Sequence, residues 1–293
     1  MSNVIEIKDL KKYFGKTRAV DGVSFEVKAG EAFGFLGPNG AGKTTTIRTL
    51  MDFIRPTEGT VKLFGLDSHL DSVTLKSKIG YLPGNIKLNN SWTGFDHVQF
   101  VEGIRGREHN ALEIAARLDL DLKKKFKTLS SGNKQKLGIV LALMHSPELL
   151  IMDEPTVGLD PLLQNEIYNM LAELKKKGTT IFISSHNLPE VERVCDRVGI
   201  IKAGQMVTVE TLKELSGKRL HRVEVRFADK FTRKEFDSLG VENMEEISDG
   251  LIFSVGGDLN PVLAKIATHK VTDMSISHAD LEEVFLKFYK RSK

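Results

Sequence analysis

The chain has 293 residues, a 41% hydrophobic share and a net charge of +3, enough for one large domain plus a small one and too mildly basic to argue for nucleic acid. No apolar run approaches the roughly 20 residues that cross a bilayer, and the longest, Gly138–Met144, is flanked by Lys134, Lys136 and His145. The start carries no signal-peptide core, and the single cysteine, Cys195, excludes an internal disulfide and suits a reducing cytosol, so a soluble cytoplasmic protein is predicted.

The first 36 residues read as strands. "NVIEIKDL" and "VSFEVKAG" alternate, and "EAFGFLG" is a short buried strand ending in glycine. Residues 42–54 are predicted helical, with a stop at Pro56. From Trp92 to Phe126 the pattern is helical again, within an insert of about residues 85–145. "ELLIMDEP" is a continuous apolar run closed by acids and proline, as a central parallel strand would be. "NEIYNMLAELKKKG" is a helix with a glycine stop, "TTIFISSH" a buried strand and "VGIIKAGQMV" a hairpin. Strands alternating with helices predict a mainly parallel α/β domain over residues 1–215 with N-terminal antiparallel strands. A boundary is expected near Ser216–Gly217. Beyond it, residues 217–293 predict a small α+β domain: strand "HRVEVRF", short helix "TRKEFDSLG", strand "LIFSVGG", helix "NPVLAKIATH", strand "VTDMSIS" and final helix "ADLEEVFLKFYK". In that last helix Leu281, Val284, Phe285 and Phe288 are spaced to pack inward, with Glu282 and Glu283 on a solvated face.

"GPNGAGKTT" fits G-x-x-x-x-G-K-[ST] from Gly37 to Thr44 and sits between a strand and a helix, as a phosphate-binding P-loop must. Glycines let successive N–H groups curl inward onto phosphate oxygens. Lys43 places a point charge on the β- and γ-phosphates, and the hydroxyl of Thr44 is a Mg²⁺ ligand. The following helix offers its positive end to the same anion. "LLIMDEP" holds Asp153 at the carboxyl end of an apolar strand, within reach of the metal shell. Glu154 follows it, placed to orient or deprotonate an attacking water; an acidic capping pair is the plain alternative. His186 ends the strand "ISSH" and reads either as a γ-phosphate contact or as an ordinary strand-end histidine. "LSSGNKQKLGIVLALM" opens a helix with bare N–H groups and hydroxyls, a second place for an anion. A GTPase would need N-K-x-D, and "NKQK" at Asn133 ends in Lys136; a small-molecule kinase would need a lid and an acceptor site, for which there is no clear candidate.

Together these motifs resemble the ATP-binding subunit of an ABC transporter over about residues 4–215. "GPNGAGKTT" matches the Walker A loop, with Gly37, Pro38, Asn39, Gly40, Ala41, Gly42, Lys43, Thr44 and Thr45 around the phosphates. "LSSGN" resembles the LSGGQ signature, "LLIMDEP" is Walker B with its glutamate, "VGLD" at Val157–Asp160 resembles the D-loop, and His186 the switch histidine. Phe14 matches the aromatic that stacks on adenine, with Tyr13 a second choice. The resemblance implies ATP and Mg²⁺ as cofactors, Thr44 and Asp153 as metal ligands, and Glu154, His186 and Lys43 as the catalytic set. It also implies a head-to-tail dimer in which Ser130, Ser131, Gly132 and Asn133 complete the partner's site. A separate transmembrane permease follows, since the chain has no span of its own. So does a cytoplasmic position on the inner face of the membrane, with no nucleic acid as partner.

Two departures stand out. The signature has Ser131 where glycine is usual and Asn133 where glutamine is usual; a serine still offers its backbone N–H. In "IGYLPGN" Gly84 takes the place of the Q-loop glutamine and has no side chain to ligate a metal or water; Asn85 or an additional water could replace it. Trp92, Phe95, Val98 and Phe100 could line a groove for a partner helix or form the core of the insert. The "SHADLEEVFLKFY" tail resembles ATPases of the bacterial drug- and peptide-exporter branch, which implies export. A non-transport ABC ATPase acting on ribosomes or DNA is the other reading. Such proteins carry two cassettes, or a long coiled coil between Walker A and signature, and this chain has neither.

Overall fold

Alternating apolar residues set the first hairpin. Strands β1 (Asn3–Phe14) and β2 (Thr17–Lys28) pair antiparallel and turn at Gly15, whose φ is 58°. The alternation slips at Asp9, which has φ 46°; the resulting bulge brings Leu10 into the core after Ile5 and Ile7. In this computed structural model, which describes residues 2–106, 110–217 and 220–278, the chain divides into two compact units, Met1–Glu210 and Thr211–Lys293.

In the first unit β3 (Ala32–Leu36) leads into α1 (Lys43–Leu50). The predicted helix over 42–54 therefore ends early. Asp52 adopts φ 53° and the Phe53 N–H bonds the Arg48 carbonyl at 2.8 Å, a left-handed termination that needs no proline. Next come β4 (Glu58–Leu63), β5 (Leu66–Asp67), α2 (Ser72–Lys78) and β6 (Ile79–Leu82). The helical stretch from Trp92 to Phe126 resolves into α3 (Gly94–Arg105), α4 (Ala111–Arg117) and a 3₁₀ turn at Phe126–Thr128. Thr93 and Asp96 cap α3 reciprocally. Val98 is buried, whereas Phe95 and Phe100 are exposed, so the apolar residues read together in the sequence divide between core and surface. Then follow α5 (Ser131–Leu143), β7 (Leu149–Asp153), α6 (Pro161–Lys176), β8 (Thr180–Ser185), α7 (Leu188–Val194), β9 (Arg197–Lys202) and β10 (Gln205–Thr211). Ala203 and Gly204 join the last two strands, both at positive φ (47° and 80°), the requirement of a type I′ hairpin.

A four-stranded sheet, β2-β1-β4-β5, faces a six-stranded one, β10-β9-β3-β8-β7-β6. In the latter, β9, β3, β8, β7 and β6 are parallel neighbours. Every residue of β3, β7 and β8 is buried, which is why these strands read as apolar runs without alternation. Phe25 of β2 lies against Phe33, Phe35 and Phe182 of the parallel sheet, with ring centroids 5.3, 5.3 and 5.8 Å away, and ties the two sheets together. The carboxyl ends of β3, β8, β7 and β6 lie side by side, where an open α/β sheet binds its ligands.

The second unit has α8 (Leu212–Gly217), β11 (Leu220–Phe227), β12 (Val241–Ile247), β13 (Gly250–Gly256), α9 (Asn260–Ile266) and β14 (Val271–His278), with antiparallel sheet order β12-β13-β11-β14. The predicted helix in "TRKEFDSLG" is instead two 3₁₀ turns, Arg233–Glu235 and Asp237–Leu239, with Phe236 buried between them. The predicted final helix lies outside the described residues.

Candidate nucleotide site

The loop after β3 curls because it has to. A Cβ on Gly42, which has φ 107°, would stand 2.5 Å from the Ala19 carbonyl, and one on Gly37 would stand 2.4 Å from the Ile201 carbonyl. Pro38 to Thr45 line a cleft of about 390 Å³. Lys43 is buried and donates to the carbonyls of Gly37 (2.6 Å) and Pro38 (3.3 Å). Its ammonium also lies 3.2 Å from Glu154 Oε1.

Residues 109 positions apart meet across the sheet edge. The hydroxyl of Thr44 donates to Asp153 Oδ2 at 2.8 Å, and the hydroxyl of Ser184 donates to Asp153 Oδ1. Asp153 is 2% exposed. Glu154 adopts φ 52°, an uncommon conformation for a residue with a side chain; its N–H bonds the Ser184 carbonyl (3.1 Å) and hydroxyl (3.2 Å). That turn aims the carboxylate out of the sheet, so that Oε1 meets Lys43 and Oε2 lies 2.7 Å from His186 Nδ1. Lys43, Thr44, Asp153, Glu154 and His186 are thus one constellation.

A second cleft of about 370 Å³ shares Asn39, Thr44 and Glu154 with the first and extends past Tyr81, Gly84 and Asn85. A Cβ on Gly84 would lie 3.3 Å from Asp153 Oδ2, so the glycine at the Q-loop position stands directly against the carboxylate. Asn85 borders the same cleft. The Tyr81 phenol is pushed up to about 12, by burial first and then by the charge of Asp153.

Phe14 lies outside the residues lining either cleft; its ring is half exposed, with the Lys12 ammonium 5.0 Å from its centroid. Tyr13, the second choice, is engaged: its hydroxyl donates to Asp21 at 2.5 Å. Ser130 caps α5 by accepting the Asn133 N–H at 3.2 Å, with Ser131 and Gly132 in the first turn. None of Ser130 to Asn133 lines either cleft. The sequence reading missed three buried polar braces. Gln135 of α5 donates to the Pro155 carbonyl at 2.9 Å, Ser184 holds Asp153, and Glu190 of α7 accepts from Thr156 and Ser185. Burial pushes the Glu190 carboxyl up. The two serines of "ISSH", next to an expected site histidine, were the available signal for two of these contacts.

A parallel sheet with a P-loop after one strand and an acid pair after its neighbour but one defines a P-loop nucleotide hydrolase. Residues 20–157 match the family described as ABC transporter. The chain is 36% identical over 299 residues to the bacitracin transport ATP-binding protein BcrA of Enterococcus faecalis, covering 98% of this chain and 96% of that protein. It is 38% identical over 222 residues to the linearmycin resistance ATP-binding protein LnrL of Bacillus subtilis, covering 73% and 71%. Among solved structures, the dimeric bacterial ABC transporter cassette MJ0796 superposes with a TM-score of 0.66 at 25% identity, covering 71% of this chain and 98% of that one. The chain belongs to the ATP-binding subunits of ABC transporters and is an ATPase of that class.

Proposed function

We propose that two copies of a cassette of this kind close head to tail on ATP and drive export through a separate membrane subunit. The observation that carries the catalytic part is the placing of Glu154, 3.2 Å from Lys43 and 2.7 Å from His186, beside the Thr44–Asp153 pair. The amides of the P-loop and Lys43 take the phosphates, and Lys43 exchanges loop carbonyls for phosphate oxygens. Thr44 and Asp153 fit Mg²⁺. They offer two hard oxygens 2.8 Å apart, and Asp153 is buried with its other oxygen held by Ser184. That matches an ion bound through few protein ligands plus phosphate. When bound, it supplies positive charge beside the β- and γ-phosphates. Glu154 accepts a proton from the attacking water, and His186 steadies that carboxylate and contacts the γ-phosphate. Phe14 stacks on adenine. Ser130, Ser131, Gly132 and Asn133, which line neither cleft of their own chain, complete the partner's site. The names of BcrA and LnrL, a bacitracin transport and a linearmycin resistance ATP-binding protein, support drug or peptide export, and the membrane subunit would hold the chain at the cytoplasmic face.

Glu154→Gln tests this. A positioned base contributes roughly 10²–10⁴ in rate, equivalent to about 3–5 kcal/mol of barrier. The variant is expected to lose that much turnover, keep its ATP affinity and accumulate as an ATP-bound dimer in sedimentation. Turnover near the wild-type rate would overturn the assignment of the base.

A further inference from the structure

Glu190 stands in the first turn of α7 and is 4% exposed. Its two carboxylate oxygens reach two different places, the loop after β7 and the last residue of β8. The Thr156 hydroxyl donates to Oε1 at 2.7 Å, and the Ser185 hydroxyl donates to Oε2. Thr156 is two residues beyond Glu154, and Ser185 immediately precedes His186. Ser185 Oγ also accepts the Asn187 N–H at 2.9 Å, so the turn that carries His186 closes on the same hydroxyl. The stretch after β7 is further tied by Gln135 to the Pro155 carbonyl. Neither partner of Glu190 is a cation, and a carboxylate buried against hydroxyls alone costs more than an apolar side chain of the same volume. Packing by itself would be better served by leucine.

We propose that Glu190 is a positioning residue for ATP hydrolysis: its carboxylate braces the loop after β7 against the end of β8 and so holds His186 against Glu154. This rests on the reading of Glu154 and His186 as the pair that acts at the γ-phosphate. The brace touches neither cleft, so it governs the geometry of the reacting groups and leaves the phosphate cradle of the P-loop alone.

The experiment is a double-mutant cycle of Glu190→Ala and His186→Ala in the full chain, with kcat and KM for ATP and thermal unfolding measured for each. A misplacement of about 1 Å at a reacting group costs up to roughly 10²-fold. Glu190→Ala is expected to lower kcat by about 10- to 10²-fold with KM little changed, and to cost almost nothing further once His186 is alanine, because residues that act through one another are not additive. Glu190→Gln keeps the volume and an acceptor for one hydroxyl. It is expected to recover part of the loss, and it takes the place of the alanine in the cycle if that variant does not fold. The same factor lost in both backgrounds, a raised KM at unchanged kcat, or full activity of Glu190→Ala would each overturn the inference and leave the catalytic reading standing. Full activity of His186→Ala would remove the reading of the histidine itself and this inference with it.

Discussion

At the scale of single residues, the site is a small set of polar groups whose partners are fixed by strand ends. Asp153 illustrates the constraint. It is 2% exposed, and its two oxygens accept from Thr44 and Ser184. Ser184→Ala removes one donor and leaves a buried acceptor without its partner, at a cost of about 1–3 kcal/mol. We expect the apparent Tm to fall by roughly 2–4 °C for each kcal/mol and turnover to drop with it, since Ser184 also accepts the Glu154 N–H. A Tm and an ATPase rate equal to wild type would show that Asp153 is held without this hydroxyl. The residues of the constellation differ in how they could be read. Lys43, Thr44, Asp153 and Glu154 were legible because P-loop and acid-pair chemistry demands those types at fixed local spacing. Ser184, Gln135 and Glu190 were not, because each has a partner 20 to 34 positions away that no local pattern records, and the one short-range contact, Glu190 with Ser185 of "ISSH", gives no hint of the distant one.

At the scale of elements, apolar runs of five or more residues were readable, and the four-residue strand β6 was not. β3, β7 and β8 announce themselves as unbroken apolar stretches, whereas β6 is only Ile79–Leu82 and contains Gly80. That glycine has a packing cause. A Cβ there would stand 2.2 Å from the Ala142 carbonyl of α5 and 2.9 Å from the Pro147 ring, so the strand that leads to Gly84 and the helix that starts with the signature are in backbone contact. Gly138 of α5 looks out on the same region, but the atoms nearest its Cβ would be side-chain atoms, the ends of Ile86 and Leu82 at 2.4 and 2.7 Å and Ile86 Cγ1 at 3.2 Å. Side-chain ends can turn aside and a carbonyl in a helix cannot. Overpacking a rigid site costs about 1–3 kcal/mol, and alanine in place of glycine inside a helix returns up to about 1 kcal/mol. Gly80→Ala is therefore expected to unfold at lower temperature than wild type, and Gly138→Ala to lie above it in a side-by-side melt. The reverse order would mean that α5 moves easily off β6.

At the scale of the whole molecule, the open matter is where the signature serines act. Ser130 begins α5 in the same unit as the P-loop, yet it lines neither cleft of its own chain. A helix start with hydroxyls and bare N–H groups is an anion site in need of an anion, and a second copy facing head to tail would bring one. Mixing two inactive variants separates cis from trans. With Lys43→Ala alone, every site of a dimer lacks its lysine; with Ser130→Arg alone, every site lacks its signature. In a mixed dimer one site carries both lesions, and the other joins the Lys43 of one chain to the Ser130 of its partner and is whole. Recovered ATPase activity on mixing is the expected result, and a signature serving its own chain's nucleotide cannot produce it. If the two sites must fire together the mixture stays silent, and dilution then decides. A chain that needs its partner's serines loses specific activity below the dimer dissociation constant by mass action. Wild-type activity per chain that stays flat under dilution, with the protein monomeric by light scattering, would overturn the head-to-tail arrangement.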